Sequence, residues 1–349
     1  MPQFLRYFYR FTYYYSLAFG LLRFEYDFHT YNIRPTTRVA AYAILVNLLI
    51  VALMPQQFKL DAMNFTRNPK ARQLFQFLLT SLSLTRSVAC VFILAVYWWR
   101  RHDIIALVID FQRLFRIRVN YILHSSLSVR RFRFALLRKL LLVTVTDLSR
   151  LATAWRSGSW RDQQPVILVT IYLAILNQVV NHFFFGMCVL NFHLEALNDE
   201  LQDIVDAATM LSAQRRVCPQ NFPRRCANLI NKFNALMARR RQLQRFADRL
   251  TAILGVQAGC VIFILYWYNV TLVYLVYSLM KPEGVLSVAM PLWSVVLFLI
   301  AGAAYCGDFL EVLIAFRRLR KNFSTCFSIM QTLSEVWQLN RYWERSVSM

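Results

Sequence analysis

Glycine and proline are scarce in this 349-residue sequence, at eight and nine residues, and only 17% of the residues are charged. Collagen-like and intrinsically disordered proteins are therefore excluded, because they need far more glycine, proline or charge. Catalytic signatures are missing too: there is no His-Glu-x-x-His pair, no glycine-rich phosphate loop and no Gly-x-Ser-x-Gly turn. The five histidines are scattered, and the seven cysteines lack zinc-site spacing. The sequence predicts no enzyme, no cofactor and no metal site.

What the sequence does contain is long apolar segments, within a hydrophobic content of 58%. A stretch of ~20 apolar residues, rising 1.5 Å per residue, matches the ~30 Å hydrocarbon core of a bilayer. The fold predicted from these segments is all-α: a polytopic transmembrane helical bundle. The six predicted spans are residues 38–55, 74–99, 134–155, 165–192, 251–280 and 285–312.

The net charge of +22 would suit a nucleic-acid-binding protein if the chain were soluble. Here the charge instead follows the predicted spans. Of the 40 Lys and Arg residues, 29 lie on the side of the N-terminus, counting Arg38 at the edge of span one, and seven lie on the opposite side. Cytoplasmic loops carry such an excess of cations, so the N-terminus is predicted to be cytoplasmic. The predicted partner is the lipid bilayer and not nucleic acid.

Helices are also predicted outside the spans. The N-terminal segment is crowded with aromatic and basic side chains, which predicts an interfacial helix over 4–24, with a short re-entrant segment as the alternative. Apolar residues at spacings of three and four predict that helices extend into the cytoplasm within 100–133, 193–250 and the tail. The predicted organisation is 1–37 (N-terminal segment), 38–192 (spans one to four), 193–250 (helical loop), 251–312 (spans five and six) and 313–349 (helical tail).

Polar residues within the spans are the first candidates for a functional site. Arg86, Asp147 and Arg150 lie at bilayer depth, where a charge costs several kcal/mol unless it is paired or faces a wet cavity. They indicate either a ligand pocket or ion-coupling site, or a structural salt bridge that joins spans two and three. Asn177 and Gln178 in span four are candidates for the same pocket or for hydrogen bonds between helices.

Aromatic residues of spans five and six are the second candidates. Trp267, Tyr268 and Asn269 lie in span five and Trp293 in span six. Pockets for small organic molecules are mostly apolar and aromatic with a few polar anchors, although some of these side chains will serve in packing or in an interfacial belt. In the first external loop, the triplet that starts at Asn64 predicts an N-glycosylation site.

Several motifs resemble those of the insect gustatory receptors, within the insect chemoreceptor superfamily. They are Phe19-Gly20-Leu21-Leu22, then Phe24-x-x-Asp27, and near the end Asn340-Arg341-Tyr342-Trp343-Glu344-Arg345-Ser346-Val347. The predicted cytoplasmic N-terminus and the long helical loop before span five are similar as well. The resemblance implies a chemosensory receptor subunit in the plasma membrane of a sensory neuron. Such subunits have seven spans and form homo- or heterotetrameric cation channels that small-molecule tastants open.

One feature departs from that family. The Thr-Tyr-(apolar)-Gln-Phe motif of the pore-lining seventh helix does not occur before the chain ends at Met349. The middle of span six, Val295–Ala304, is wholly apolar and would make a poorly wetted pore. We therefore expect the 349-residue chain not to conduct ions by itself. A membrane transporter, or a truncated receptor or scaffold subunit that does not conduct, remains as the alternative function.

The charge distribution gives a prediction about topology. If the six predicted spans insert, both chain ends should lie in the cytosol, because the cation-rich segments stay on that side. Epitope tags fused to either end should be stained by antibody only after the cells are permeabilised. Staining of an N-terminal tag on intact cells would contradict this orientation.

Overall fold

The computed structural model describes residues 3–28, 30, 32–59, 69–122, 126–156, 160–214, 222–280 and 292–337. These ranges form helices together with one small antiparallel sheet, in which Glu25–Tyr26 pairs with Ile33–Arg34. The helices are α1 (Gln3–Ala18), α2 (Thr37–Leu53), α3 (Pro69–Trp99), α4 (Arg101–Ile122), α5 (Ser126–Arg156), α6 (Trp160–Gln214), α7 (Phe222–Leu250), α8 (Val256–Met280) and α9 (Leu292–Trp337).

Five helical stretches of the described chain are long and apolar enough to cross a membrane, which agrees with the predicted all-α membrane bundle but is one fewer than six. They are Thr37–Phe58, Gln76–Trp99, Gln163–Leu211, Arg224–Thr271 and Leu299–Leu333. The third predicted span, 134–155, lies within α5 and is not among them. Its helix is continuous, but Arg138, Lys139, Asp147 and Arg150 leave it too charged to count as an apolar span.

Some predictions concern residues outside the described part of the chain. The glycosylation triplet at Asn64 is one of them, and so are the first residues of predicted span six, 285–291. The similarity motif Asn340–Val347 also lies outside it. These predictions remain expectations from the sequence.

The centre of the bundle is α6, which contacts α1, α3, α5, α7, α8 and α9. Its sequence between Tyr172 and Leu194 is mostly apolar, with a few polar residues such as Asn177, Gln178 and His182, as expected of a helix that is surrounded by others. Almost every side chain in that run is buried. The helix continues well beyond residue 192, and its apolar stripe Leu197, Leu201 and Ile204 is buried as well. A single helix therefore joins the apolar bundle to the segment predicted to extend from it.

The N-terminal helix α1 packs into this bundle. Gly20, in the turn after α1, has a φ of +66°, and a Cβ atom there would lie 2.9 Å from Asn47 Oδ1 and 3.0 Å from the Ala43 carbonyl oxygen. Only glycine suits this left-handed conformation and close approach. Because Ala43 and Asn47 belong to the apolar stretch of α2, the turn contacts that stretch well inside its length. The helix itself ends at Ala18, six residues before the predicted end at 24.

Ion pairs between α5 and α9 account for two of the cations on α5. Lys139 Nζ lies 2.6 Å from Asp308 Oδ2, with side-chain exposures of 2% and 5%. One turn further along α9, Arg138 Nη2 lies 3.1 Å from Glu311 Oε2. The charges of predicted span three thus face predicted span six, which explains how a helix with so many cations fits into an apolar bundle.

The buried pair gives a prediction about stability. Asp308→Asn leaves the Lys139 ammonium buried without a counter-ion, which should cost about 3–5 kcal/mol. We expect a lower thermal midpoint for the detergent-solubilised protein. The double variant Lys139→Met/Asp308→Leu should recover most of the loss, because it removes both charges. The control is Asp110→Asn in the partly exposed pair with Arg249, which should cost less than about 1 kcal/mol. Equal losses in both single variants would refute the importance of the buried pair.

Candidate functional site

Arg86 lies near the middle of the apolar stretch Gln76–Trp99, and only 3% of its surface is exposed. Its electrostatic neighbours are Tyr305, Arg150 and Tyr268. No hydrogen bond or ion pair joins its guanidinium to another described residue, and Nε is buried without a hydrogen-bond partner. Arg86 is therefore a buried cation whose charge is not neutralised by the described part of the protein.

Arg150 and Asp147 stand one helical turn apart on α5 and form only a loose pair. Arg150 Nη1 is 3.9 Å from Asp147 Oδ1, which is too long for a hydrogen bond. Asp147 Oδ2 instead accepts a 3.0 Å hydrogen bond from the Tyr15 hydroxyl of α1. The Arg150 guanidinium lies 5.2 Å from the centroid of the Tyr305 ring, a cation–π contact. Both Nη atoms of Arg150 are buried without a hydrogen-bond partner.

Tyrosines from α8 and α9 complete the site. The rings of Tyr268 and Tyr305 meet edge to face, with centroids 5.0 Å apart. Tyr305 is 1% exposed and its hydroxyl has no hydrogen-bond partner in the described chain. The Nε1 atom of Trp267, the residue before Tyr268, is buried without a partner as well.

We call Arg86, Asp147, Arg150, Tyr268 and Tyr305 the arginine cluster. Four helices, α3, α5, α8 and α9, supply its members, and α1 touches it through Tyr15. The cluster holds two guanidinium groups and one carboxylate, and it offers more hydrogen-bond donors than its own residues use. Its chemistry suits a ligand that brings hydrogen-bond acceptors.

The other sequence-predicted site residues lie elsewhere. Gln178 Nε2 donates to the Thr12 carbonyl oxygen at 3.0 Å and to Ser16 Oγ at 2.6 Å, so its amide attaches α1 to α6. Its neighbour Asn177 is buried on α6. Asn269 Oδ1 accepts from the Cys306 thiol at 3.2 Å and links α8 to α9. Trp293 is half-buried in the first turn of α9.

The structure therefore brings together Arg86, Asp147, Arg150 and Tyr268, and Trp267 precedes Tyr268 on α8. Sequence reasoning missed Tyr305, which is a member of the cluster, and Tyr15, which contacts it. The signal for Tyr305 was weak but present: it is a hydroxyl-bearing residue in an apolar run, one turn before Asp308. Tyr15 gave no such signal, because it belongs to a run of similar tyrosines.

A second polar network continues from Gln178. His182 accepts or donates hydrogen bonds on both ring nitrogens, with Tyr97 Oη 3.0 Å from Nδ1 and Ser16 Oγ 2.9 Å from Nε2. Beside it is an apolar cavity of about 90 Å³ lined by α1, α3, α4, α6, α7 and the turn before α8. Through these two contacts His182 links α6 to α3 and to α1.

Comparison with known proteins gives one matching family and three relatives from Drosophila melanogaster. A family model described as 7tm chemosensory receptor matches residues 9–349. The chain is similar to three Drosophila melanogaster proteins named gustatory receptors 36c, 36a and 36b. It is 24% identical to 36c over 294 residues, which is 82% of this chain and 72% of that protein. Its identity to 36a is 23% over 276 residues and to 36b is 22% over 272 residues, in both cases 76% of this chain and 67% of the relative.

The Gln178 contacts predict a structural effect. Gln178→Met keeps the size of the side chain but removes both hydrogen bonds to α1, which should cost about 1–3 kcal/mol. We expect a lower thermal midpoint of the solubilised protein. Gln202→Met is the matched control, because Gln202 is exposed on the same helix and bonds only to Asp206 in the next turn. Unchanged stability in the Gln178 variant would show that α1 is held by other contacts.

Proposed function

The chain belongs to the 7tm chemosensory receptor family, and we propose that it is a gustatory receptor subunit that binds small-molecule tastants. The observation that carries this proposal is the arginine cluster, a buried polar site inside a bundle of apolar helices. The names of its Drosophila relatives support taste as the sense concerned. We place the subunit in the plasma membrane with its N-terminus in the cytoplasm.

Burying the charges of the arginine cluster costs desolvation free energy. Two guanidinium groups within apolar helices are expensive to desolvate, and a structural role would require a full set of partners. Arg86 and Tyr305 lack such partners in the described chain. Aromatic rings beside a few polar groups are, in addition, the usual lining of sites for small organic molecules. A ligand that accepts hydrogen bonds would bind the N–H and O–H donors that have no partner in the described chain.

The cluster is also well placed to transmit a signal. Its residues come from α3, α5, α8 and α9, so a bound ligand would contact four helices at once. Asp147 connects it to α1 through Tyr15, and α9 continues as one helix to Trp337. We propose that ligand binding shifts these helices relative to one another. The subunit would act with other receptor subunits in a tetramer that passes cations.

The cluster predicts an effect on ligand response that is separate from folding. Tyr305→Phe removes a hydroxyl that has no protein partner, so surface expression should be unchanged. The half-maximal concentration of an activating tastant should rise about three- to tenfold, the cost of one hydrogen bond to the ligand. The measurement is a calcium or current response to a panel of sugars, acids, amines and bitter compounds, in cells that express the chain with partner subunits.

Tyr266→Phe is the matched control, because Tyr266 lies on α8 two residues before Tyr268 but points outward, 62% exposed. This variant should respond like the natural chain. A panel that elicits no response from the natural chain, or equal shifts in the two variants, would contradict the proposed function.

A further inference from the structure

The charges that α3, α5 and α9 bury fully or in part do not balance near Arg86. The cations are Arg86, Arg138, Lys139 and Arg150, and the acids are Asp147, Asp308 and Glu311. Two of these acids already pair with cations. Asp308 Oδ2 lies 2.6 Å from Lys139 Nζ, and Glu311 Oε2 lies 3.1 Å from Arg138 Nη2. Asp147 is the acid beside Arg150. Arg86 remains as a cation with no acid of its own in the described chain.

The unused hydrogen-bond donors lie in the same cluster. Arg86 Nε, Arg150 Nη1 and Nη2 and the Tyr305 hydroxyl are all buried, and none has a hydrogen-bond partner among the described residues. Guanidinium groups present their N–H donors in a planar fork that matches the two oxygens of a carboxylate. A cationic ligand would meet repulsion from both arginines. A neutral ligand could use the donors but would leave the charge of Arg86 unbalanced.

We propose that the arginine cluster is an anion site, which takes one negative charge with Arg86 as its principal counter-ion. The charge is supplied by the carboxylate of a small organic ligand or by chloride. This inference rests on the proposed function, because it assigns a chemical class to the ligand of that same site. Aromatic side chains border the site, since the Arg150 guanidinium lies over the Tyr305 ring and that ring meets Tyr268 edge to face.

An anion site predicts how Arg86 affects the stability of the ligand-free protein. If Arg86 has no internal partner, its positive charge destabilises the free bundle, and Arg86→Gln should raise the thermal midpoint. If Arg86 instead held the helices together, the same change would lower it. The sign of this shift separates an anion site from a structural cation.

The test uses the purified 349-residue chain in detergent, with its thermal midpoint followed at constant ionic strength in sodium HEPES. Benzoate should raise the midpoint in a saturable way, because a ligand that binds the folded state stabilises it. Benzamide, which has the same ring but no charge, should have little effect at equal concentration. Arg86→Gln should raise the half-maximal benzoate concentration at least about tenfold, whereas Arg86→Lys should retain part of the binding because it keeps the charge.

The matched control is Arg138→Gln, which removes a partly buried arginine whose partner is Glu311. This variant should keep the benzoate affinity of the natural chain. A chloride titration identifies the source of the charge: stabilisation by chloride that depends on Arg86 and competes with benzoate assigns the site to the inorganic ion.

Three results would overturn the inference: equal stabilisation by benzamide and benzoate, an Arg86→Gln variant that is less stable than the natural chain, or an Arg86→Gln variant that binds benzoate as well as the natural chain does. Absence of any benzoate and chloride effect would overturn it too. In each case a changed tastant response of Tyr305→Phe would leave the proposed function standing, so the two failures are distinguishable.

Discussion

Lys139 on α5 and Asp308 on α9 form an ion pair that is almost inaccessible to solvent, and the arrangement of the bundle depends on it. A helix with several cations cannot turn them toward lipid, because each exposed charge would cost several kcal/mol. The acids on one face of α9 therefore fix which side of α5 points inward. Once that face is set, Asp147 and Arg150, two and three turns along α5, also point into the bundle and reach the arginine cluster.

Buried polar groups need partners, and this need also explains how the N-terminal helix is held. The polar groups of α1 that enter the bundle meet partners there: Tyr15 donates to Asp147, and the Thr12 carbonyl oxygen accepts from Gln178. Gly20 lets the chain turn tightly against α2. Aromatic side chains fill the space that remains, as in the contact between Phe8 and Phe185. The N-terminal segment is thus a structural part of the receptor bundle and one wall of its polar interior.

For a chemosensory receptor, this arrangement separates two uses of buried charge. The pairs of α5 with α9 match each cation with an acid, although Arg138 Nε and Asp308 Oδ1 have no hydrogen-bond partner in the described chain. The arginine cluster is incomplete, since Arg86 and the Tyr305 hydroxyl lack partners in the described chain. Paired charges favour a single arrangement of helices, whereas a cation without a counter-ion offers a ligand a charge to neutralise. This contrast is the physical basis of our proposal that a ligand binds at Arg86 of α3 and not at the paired charges of α5.

The sequence by itself determined the all-α class, most of the apolar spans and the position of Arg86 within one of them, because hydropathy and helical spacing are local properties. It also carried the family resemblance. Only the tertiary structure decided that α5 faces α9, that Gln178 binds α1, and that Tyr305 completes the cluster with Tyr268. These facts depend on which faces of distant helices meet, and the spacing of residues along one helix holds no information about its neighbour.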